Sequence, residues 1–336
     1  MSDINKIDFV MLWVDGNDEK WLAEKNNYKP DDEIANTNNR FRDWENLRYW
    51  FRGVEKYANW VNNIFFITCG HLPDWINTNN PRLKIIKHSD FMDKKYLPTF
   101  NSNAIELNIG KIKDLSEQFV LFNDDVFIVN KVKKEDFFIN GLPCDIFAEN
   151  AIKPDGDIFP HTMFNNVEVI NKYFNKLETK KNLKYKYYNI KYGKNNIRTL
   201  LLKPYDKYVG FYNPHITQSF LKSYFNKLWD LEGNLCDETS KSKFRNRNNI
   251  TQYLIRYFQL LEGSFEPRNA NFGKLLEITD NNDIDKIVTI LKKQKQNVIC
   301  INDNIFNNNI DFSEIKEKIN STFEEMFPLK SSFEKE

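Results

Sequence analysis

The chain has 336 residues, of which 41% are hydrophobic and 15% aromatic, so it can bury a sizeable core. Its 48 basic and 47 acidic residues nearly cancel, which excludes non-specific binding of nucleic acid driven by a global field. The cysteines lie far apart, with no CxxC pair and no histidine spacing typical of zinc, so we expect reduced thiols in a cytoplasm.

The chain opens with a strand pattern. Residues 7–14 (IDFVMLWV) form an apolar run, typical of a buried central strand, that stops in a turn at Asp15 and Gly16. This run is too short and its flanks are too acidic for a signal peptide, and no other stretch approaches the roughly 18 apolar residues of a membrane span. We therefore expect a soluble, cytoplasmic protein.

Helix and strand patterns follow. In residues 40–61 apolar side chains recur at helical spacing, while Arg48 and Arg52 align on another face. Residues 63–68 (NIFFIT) and Leu83–Lys87 predict two further strands.

A second helix and strand complete the first half. The helix is predicted to begin at Asn101 or Ser102, either of which suits an N-cap, and it leads into the apolar run 119–127 (FVLFNDDVF). The order of these elements is typical of an α/β fold with a largely parallel sheet flanked by helices, in which ligands gather at the carboxyl ends of the strands. We expect the acids that follow the first and last of these strands to lie at that edge.

The second half reads as mainly helical. It includes residues 213–229 and an amphipathic helix at 313–327 that Pro328 stops. We place a soft boundary that divides the chain into an α/β core (1–150) and a mainly helical part (151–336). The second part is expected to pack over the sheet as a lid or subdomain and to complete the site.

Adjacent carboxylates are the most informative feature. Asn123, Asp124 and Asp125 end the apolar run, and like charges side by side are unfavourable unless a cation, hydrogen bonds or solvent compensates them. Together with Asp15 they offer the few carboxylates that Mg²⁺ or Mn²⁺ prefers besides water and substrate phosphates. Taken alone, the segment also fits a solvated turn at a strand end.

Arginines and histidines add candidates. Guanidinium groups suit phosphate oxygens, although arginines on helices are also often solvated or paired with Glu. The candidate arginines are Arg42, Arg48, Arg52, Arg245 and Arg247. His161 and His215 each follow a proline just before a helical pattern, where a neutral imidazole is favoured and could accept a hydroxyl proton. Capping or packing is the alternative for either, and His71 and His88 are expected to be structural.

Four segments, read together, resemble the Stealth family of hexose-1-phosphate transferases. This family includes bacterial capsule and exopolysaccharide phosphotransferases and the catalytic subunit of the animal N-acetylglucosamine-1-phosphotransferase. The segments lie in family order at 7–21, 40–127, 213–254 and 300–334. The resemblance implies transfer of a sugar 1-phosphate from a UDP-hexose or UDP-N-acetylhexosamine to a hydroxyl of an acceptor glycan. The products would be a phosphodiester and UMP, in capsule or cell-surface polysaccharide synthesis.

The resemblance also implies roles for residues of both halves. Asp124 and Asp125 would hold Mg²⁺ or Mn²⁺ on the donor diphosphate, and Asp125 would also belong to the catalytic set. His215 would be the base, with His161 in reserve, and Arg245 would stabilise phosphate charge. The donor-binding residues would be Asp15, Gly16, Arg48, Asn101, Ser102, Glu106 and Asn123.

Two alternatives remain at this stage. A metal-dependent glycosyltransferase of similar design would release UDP instead of UMP. A non-enzymatic carbohydrate-binding protein would use the tyrosines at 185, 187, 188 and 192 as a stacking surface. The acceptor is expected to be lipid-linked, with peripheral contact to the inner face of the membrane through the basic residues 180–194.

Overall fold

The structure is a computed structural model that describes residues 6–28, 41–154, 156–280, 282–304 and 312–336. Residue 40, where the predicted helical segment starts, lies outside them. The strands are β1 (Ile7–Leu12), β2 (Ile64–Thr68), β3 (Leu83–Lys87), β4 (Gln118–Phe122), β5 (Val126–Ile128), β6 (Phe138–Ile139), β7 (Leu142–Asp145), β8 (Gln218–Leu221), β9 (Glu266–Pro267), β10 (Gly273–Ile278) and β11 (Val298–Asp303). The helices are α1 (Glu19–Asn26), α2 (Leu47–Tyr57), α3 (His88–Phe91), α4 (Ser102–Asn108), α5 (Ile158–Tyr173), α6 (Lys176–Leu183), α7 (Asn195–Leu201), α8 (Lys222–Lys241), α9 (Gln252–Leu261), α10 (Asn282–Lys293) and α11 (Phe312–Met326).

The main sheet has the strand order β3-β2-β1-β4-β8. Its first four strands run parallel, and β8 runs antiparallel to β4. The register pairs Met11 of β1 with Phe122 of β4, so both strands end at the same level. The predicted parallel sheet is confirmed. The carboxyl ends of the neighbouring strands β1 and β4 therefore lie side by side, at the same end of the sheet.

Helices cover both faces of this sheet, which explains why its strands are apolar without alternation. Phe9 and Met11 belong to one buried cluster, with side chains of α2 and α11, while Val10 belongs to a second cluster with side chains of α4, α8 and α9. None of the described helices is long and apolar enough to cross a membrane.

Two predicted elements differ in the structure. The run 119–127 is not one strand, because the chain turns at Asp124 and Asp125 and β5 leaves the main sheet to pair antiparallel with β11. The prediction of a helix throughout 213–229 is wrong for its first half, since β8 pairs with the open edge of β4 and α8 begins only at Lys222. Strands from both sides of residue 150 therefore share each of the three sheets that the described residues form.

A buried guanidinium ties the C-terminal segment to α2. Arg52 donates from Nε and Nη2 to the two carboxylate oxygens of Glu334, at 2.8 and 3.0 Å. Its Nη1 donates to the carbonyl of Phe327 at 2.7 Å and to Glu324 Oε2 at 2.9 Å. Of the two alternatives left open for this arginine, pairing with Glu is the one observed.

Arg52→Ala should lower the free energy of unfolding by about 3–5 kcal/mol, because it leaves the buried Glu334 carboxylate without its partner. Urea denaturation measures this loss. Glu324→Ala is the matched control, since Glu324 is the exposed partner of the same guanidinium, and it should cost less than about 1 kcal/mol. If both variants lost the same free energy of unfolding, the buried pair of Arg52 and Glu334 would not be what holds the C-terminal segment to α2.

Candidate active site

The turn after β1 lies against the backbone of Phe41, which is possible because residue 16 is glycine. A Cβ at Gly16 would lie 1.6 Å from the carbonyl oxygen of Phe41, so only glycine permits this approach. The approach brings Asp43 near Asp15, whose charge adds to burial in raising the pKa of Asp43. The backbone N–H of Asp15 is itself fixed, since it donates to His71 Nε2 at 2.8 Å.

Asp124 follows β4 at the same edge. It is exposed to solvent, although protein atoms around it reduce its hydration. Desolvation, followed by the charges of Asp125 and Asp43, raises the pKa of Asp124 to about 7, and Arg245 opposes this rise. The edge therefore holds more negative charge than its protein surroundings neutralise. Asn123, which precedes this pair, is half-buried, and its carbonyl accepts from the N–H of Val126 at 3.1 Å.

Asp125 connects three parts of the chain. The thiol of Cys300, on β11, donates to Asp125 Oδ2 over 3.1 Å, and His215 Nε2 lies 3.6 Å from the same oxygen. The backbone carbonyl of Asp125 accepts from the N–H of Ile301 at 2.8 Å. Its Oδ1 is buried and has no hydrogen-bond partner among the described residues. One carboxylate oxygen is thus held by the protein and the other is left for a ligand.

The residues fit a divalent cation that prefers oxygen ligands. Ligand atoms of Asp125, His215 and Cys300 lie within 4.8 Å of one another, a group that could also suit a softer metal. Burial and the neighbouring carboxylates, however, hold the pKa of Cys300 well above its usual range, so the thiol is a hydrogen-bond donor here. The carboxylate oxygens of Asp124 and the free Oδ1 of Asp125 remain, and these are ligands that Mg²⁺ or Mn²⁺ accepts.

Arg245 reaches the site from the loop before α9. Its Nη2 donates to Ser102 Oγ at 2.7 Å, at the start of α4. Burial raises the pKa values of both Glu106 and Asp124, and the positive charge of Arg245 opposes both rises. The structure therefore brings together Arg245, Ser102 and Glu106 with the acidic edge of the sheet.

Asn101 positions that arginine. It is the N-cap of α4, and its side chain is fully buried. Its Nδ2 donates to Asn249 Oδ1 at 2.9 Å and to the carbonyls of Ser242 and Phe244, each at 3.2 Å. Asn101 thus ties α4 to the loop that carries Arg245, while its predicted contact with a donor stays a prediction.

Of the remaining candidates, Arg48 and His161 have no recorded contact with these acids among the described residues, whereas His215 reaches Asp125. The Arg48 guanidinium lies 5.7 Å from the ring centroid of Trp75, and no hydrogen bond or ion pair joins it to the acids among the described residues. His161 is exposed in the first turn of α5, as the sequence predicts. His215 does not precede a helix. It lies in the loop before β8, and that strand's pairing with β4 carries it to Asp125.

The sequence did not point to Asp43 as a neighbour of the site, nor to the hydrogen bond from Cys300 to Asp125. Asp43 has no periodic signal, because a glycine distant in sequence creates its proximity to Asp15. Cys300 could have been found, since VICIND is a second apolar run that ends in an acid and forms β11.

The fold and the site define an α/β protein whose acidic strand ends meet a histidine and an arginine from its second half. Three models of Stealth protein conserved regions match the chain, region 1 at residues 5–33, region 2 at 40–144 and region 4 at 289–336. The chain belongs to the Stealth family, and it is an enzyme of the phosphotransferase class.

The relatives are similar over their whole lengths. The chain is 46% identical to the capsular polysaccharide phosphotransferase WcwK of Streptococcus pneumoniae, with 100% of both chains covered. It is 42% identical to the exopolysaccharide phosphotransferase cps2G of Lactiplantibacillus plantarum, over 98% of this chain and 96% of that one. Among solved structures, galactosyltransferase LgtC with donor and acceptor sugar analogues aligns with 96% of this chain and 95% of its own, at 9% identity and a TM-score of 0.40, too low to support a functional inference.

Glu106→Gln should reduce the pH dependence of stability. Burial raises the pKa of Glu106 to about 7 from its usual 4.5, so the folded state holds the proton more tightly than the unfolded state does. The resulting stabilisation is complete below pH 4.5 and is lost as the pH rises through 7, by about 3 kcal/mol. Urea denaturation at several pH values, with a chelator present, measures the change.

Glu135→Gln, at an exposed carboxylate, is the control and should keep the wild-type slope. A Glu106→Gln variant with that same slope would mean that Glu106 ionises normally in the folded protein.

Proposed function

We propose that this enzyme transfers a sugar 1-phosphate from a UDP-sugar to a hydroxyl of an acceptor glycan, with release of UMP. The donor sugar is a hexose or N-acetylhexosamine, and the acceptor is a lipid-linked glycan of capsule or cell-surface polysaccharide synthesis. The observation that carries the proposal is the convergence of Asp124 and Asp125 with His215 and Arg245, which come from opposite halves of the chain.

The charges at the site suit a donor diphosphate. Asp124 and the free Oδ1 of Asp125 are the atoms that would hold Mg²⁺ or Mn²⁺. When bound there, the ion supplies positive charge to the diphosphate oxygens. Arg245 would add a second positive charge, and its guanidinium donates to Ser102 Oγ.

The transfer step needs an acceptor oxygen, a base and a leaving group. The acceptor oxygen attacks the phosphorus that carries the sugar, the bond from that phosphorus to the bridging oxygen breaks, and UMP leaves. The hydroxyl proton passes to His215, whose Nε2 lies 3.6 Å from Asp125 Oδ2, so that the carboxylate can stabilise the imidazolium that forms. The bond between the sugar carbon and its oxygen survives, which separates this reaction from glycosyl transfer.

The names of the relatives favour polysaccharide assembly. The similar proteins are phosphotransferases of capsular polysaccharide, exopolysaccharide and receptor polysaccharide. The tyrosines named for a non-enzymatic stacking surface do not form one, because Tyr187 and Tyr192 are buried in the core while Tyr185 is exposed.

The leaving nucleotide tests the proposal directly. Purified enzyme with Mg²⁺, a panel of UDP-sugars and a glycan acceptor should release UMP, read by chromatography of the nucleotides. Asp124→Asn and His215→Ala should each lower UMP release by about 100-fold or more, through loss of charge stabilisation and of the general base.

Asp114→Asn and His161→Ala are the matched controls, since each changes an exposed residue of the same type. Both should keep wild-type rates. Release of UDP would establish glycosyl transfer instead, and loss of activity in His161→Ala but not in His215→Ala would move the base to α5.

A further inference from the structure

An exposed apolar surface covers α6, α7 and their connections. Its side chains are between 54% and 93% exposed, although each is large and hydrophobic. We call this set the apolar patch: Leu177, Ile190, Ile197, Leu200, Leu201 and Tyr205.

Two hydrogen bonds join the segments that carry the apolar patch. Lys176 Nζ donates to the carbonyl of Leu202 at 2.8 Å, which joins the start of α6 to the end of α7. Asn196 Nδ2 donates to the carbonyl of Asn189 at 2.7 Å, which joins the start of α7 to the turn that carries Ile190. Members of the patch directly follow or precede these residues in the chain.

The two helices face the protein with polar side chains. In α6 the buried residues include Lys176 and Thr179, and in α7 they are Asn195 and Thr199. One side chain from each helix contacts the buried Glu149, which pairs with Lys176 at 2.7 Å and whose N–H donates to Thr199 Oγ1 at 3.0 Å. The buried polar side chains fix the helices in this orientation and leave their leucines and isoleucines facing water, which costs free energy unless a partner covers them.

The charge around the apolar patch identifies that partner. Residues 176–207 contain ten basic residues and two acidic ones, in a chain whose net charge is +1. Lys176 and Lys186 pair with acids outside this segment, whereas other cations of the segment, including Lys181 and Lys194, are exposed. Apolar side chains framed by lysines match an anionic lipid surface, where the apolar groups enter the headgroup boundary and the lysines meet lipid phosphates. A second copy of the chain would bring two such positive surfaces face to face, which disfavours a symmetric dimer through this patch.

We propose that the apolar patch and its lysines dock the enzyme on a membrane that contains anionic lipids. Glu149, which contacts both helices of the patch, also forms a β-bridge with Phe211, four residues before His215. Docking is independent of the proposed reaction, so each can fail without the other.

Vesicle cosedimentation tests this proposal. Wild-type protein should bind phosphatidylglycerol vesicles at low salt at least 10-fold more tightly than phosphatidylcholine vesicles. Ile190→Ser/Leu201→Ser and Lys181→Glu/Lys194→Glu should each weaken that binding at least 10-fold, since all four side chains are exposed. Both variants should keep the wild-type rate of UMP release with a water-soluble acceptor.

Leu329→Ser and Lys131→Glu/Lys134→Glu are the matched controls, because they change equally exposed residues elsewhere. Both should bind as the wild type does. The proposal is overturned if wild-type protein does not sediment with phosphatidylglycerol, or if the control variants lose as much binding. It is also overturned if light scattering shows a dimer that Ile190→Ser/Leu201→Ser dissociates.

Discussion

Negative charge is crowded where β1 and β4 end, and the rest of the site is built around it. Parallel pairing in the register of Met11 with Phe122 delivers Asp15 and Asp124 to one edge of the sheet. The missing Cβ of Gly16 then admits a third acid, Asp43. Burial, followed by the charges of Asp125 and Asp43, raises the pKa of Asp124 to about 7, so its ionised form is unfavourable without a compensating charge. A bound cation would supply that charge, which supports our proposal of a site for metal and diphosphate at this edge.

The second half of the chain supplies a histidine and an arginine to this acidic edge of the sheet. β8 adds to the open side of β4 and carries His215 to Asp125. The buried amide of Asn101 ties α4 to the loop of Arg245, so the guanidinium is fixed before any ligand arrives. These groups are far apart in sequence, and neither half holds a base, a cation and carboxylates together. The site depends on the sheet and loop contacts that join the halves.

The sequence alone could predict the parallel sheet, because buried strands between helix layers are continuous apolar runs that end in turn residues. It could also single out Asp124 and Asp125, since adjacent acids at a strand end are unfavourable unless a cation, hydrogen bonds or solvent compensates their charge. It could not predict β8, because QSFL has no pattern that separates a strand from a helix and the open edge of β4 decides its pairing. Asp43 was equally hidden, since its position depends on a backbone contact between Gly16 and Phe41.

The central claim is that the acids at the ends of β1 and β4 hold a divalent cation together with the donor diphosphate. Titration of the protein with Mn²⁺, followed by electron paramagnetic resonance with and without UDP, tests it most directly. The account predicts that wild-type protein binds Mn²⁺, that UDP tightens this binding, and that Asp124→Asn loses at least 10-fold in affinity. Failure of wild-type protein to bind Mn²⁺ in the presence of UDP, or equal binding by Asp124→Asn, would contradict it.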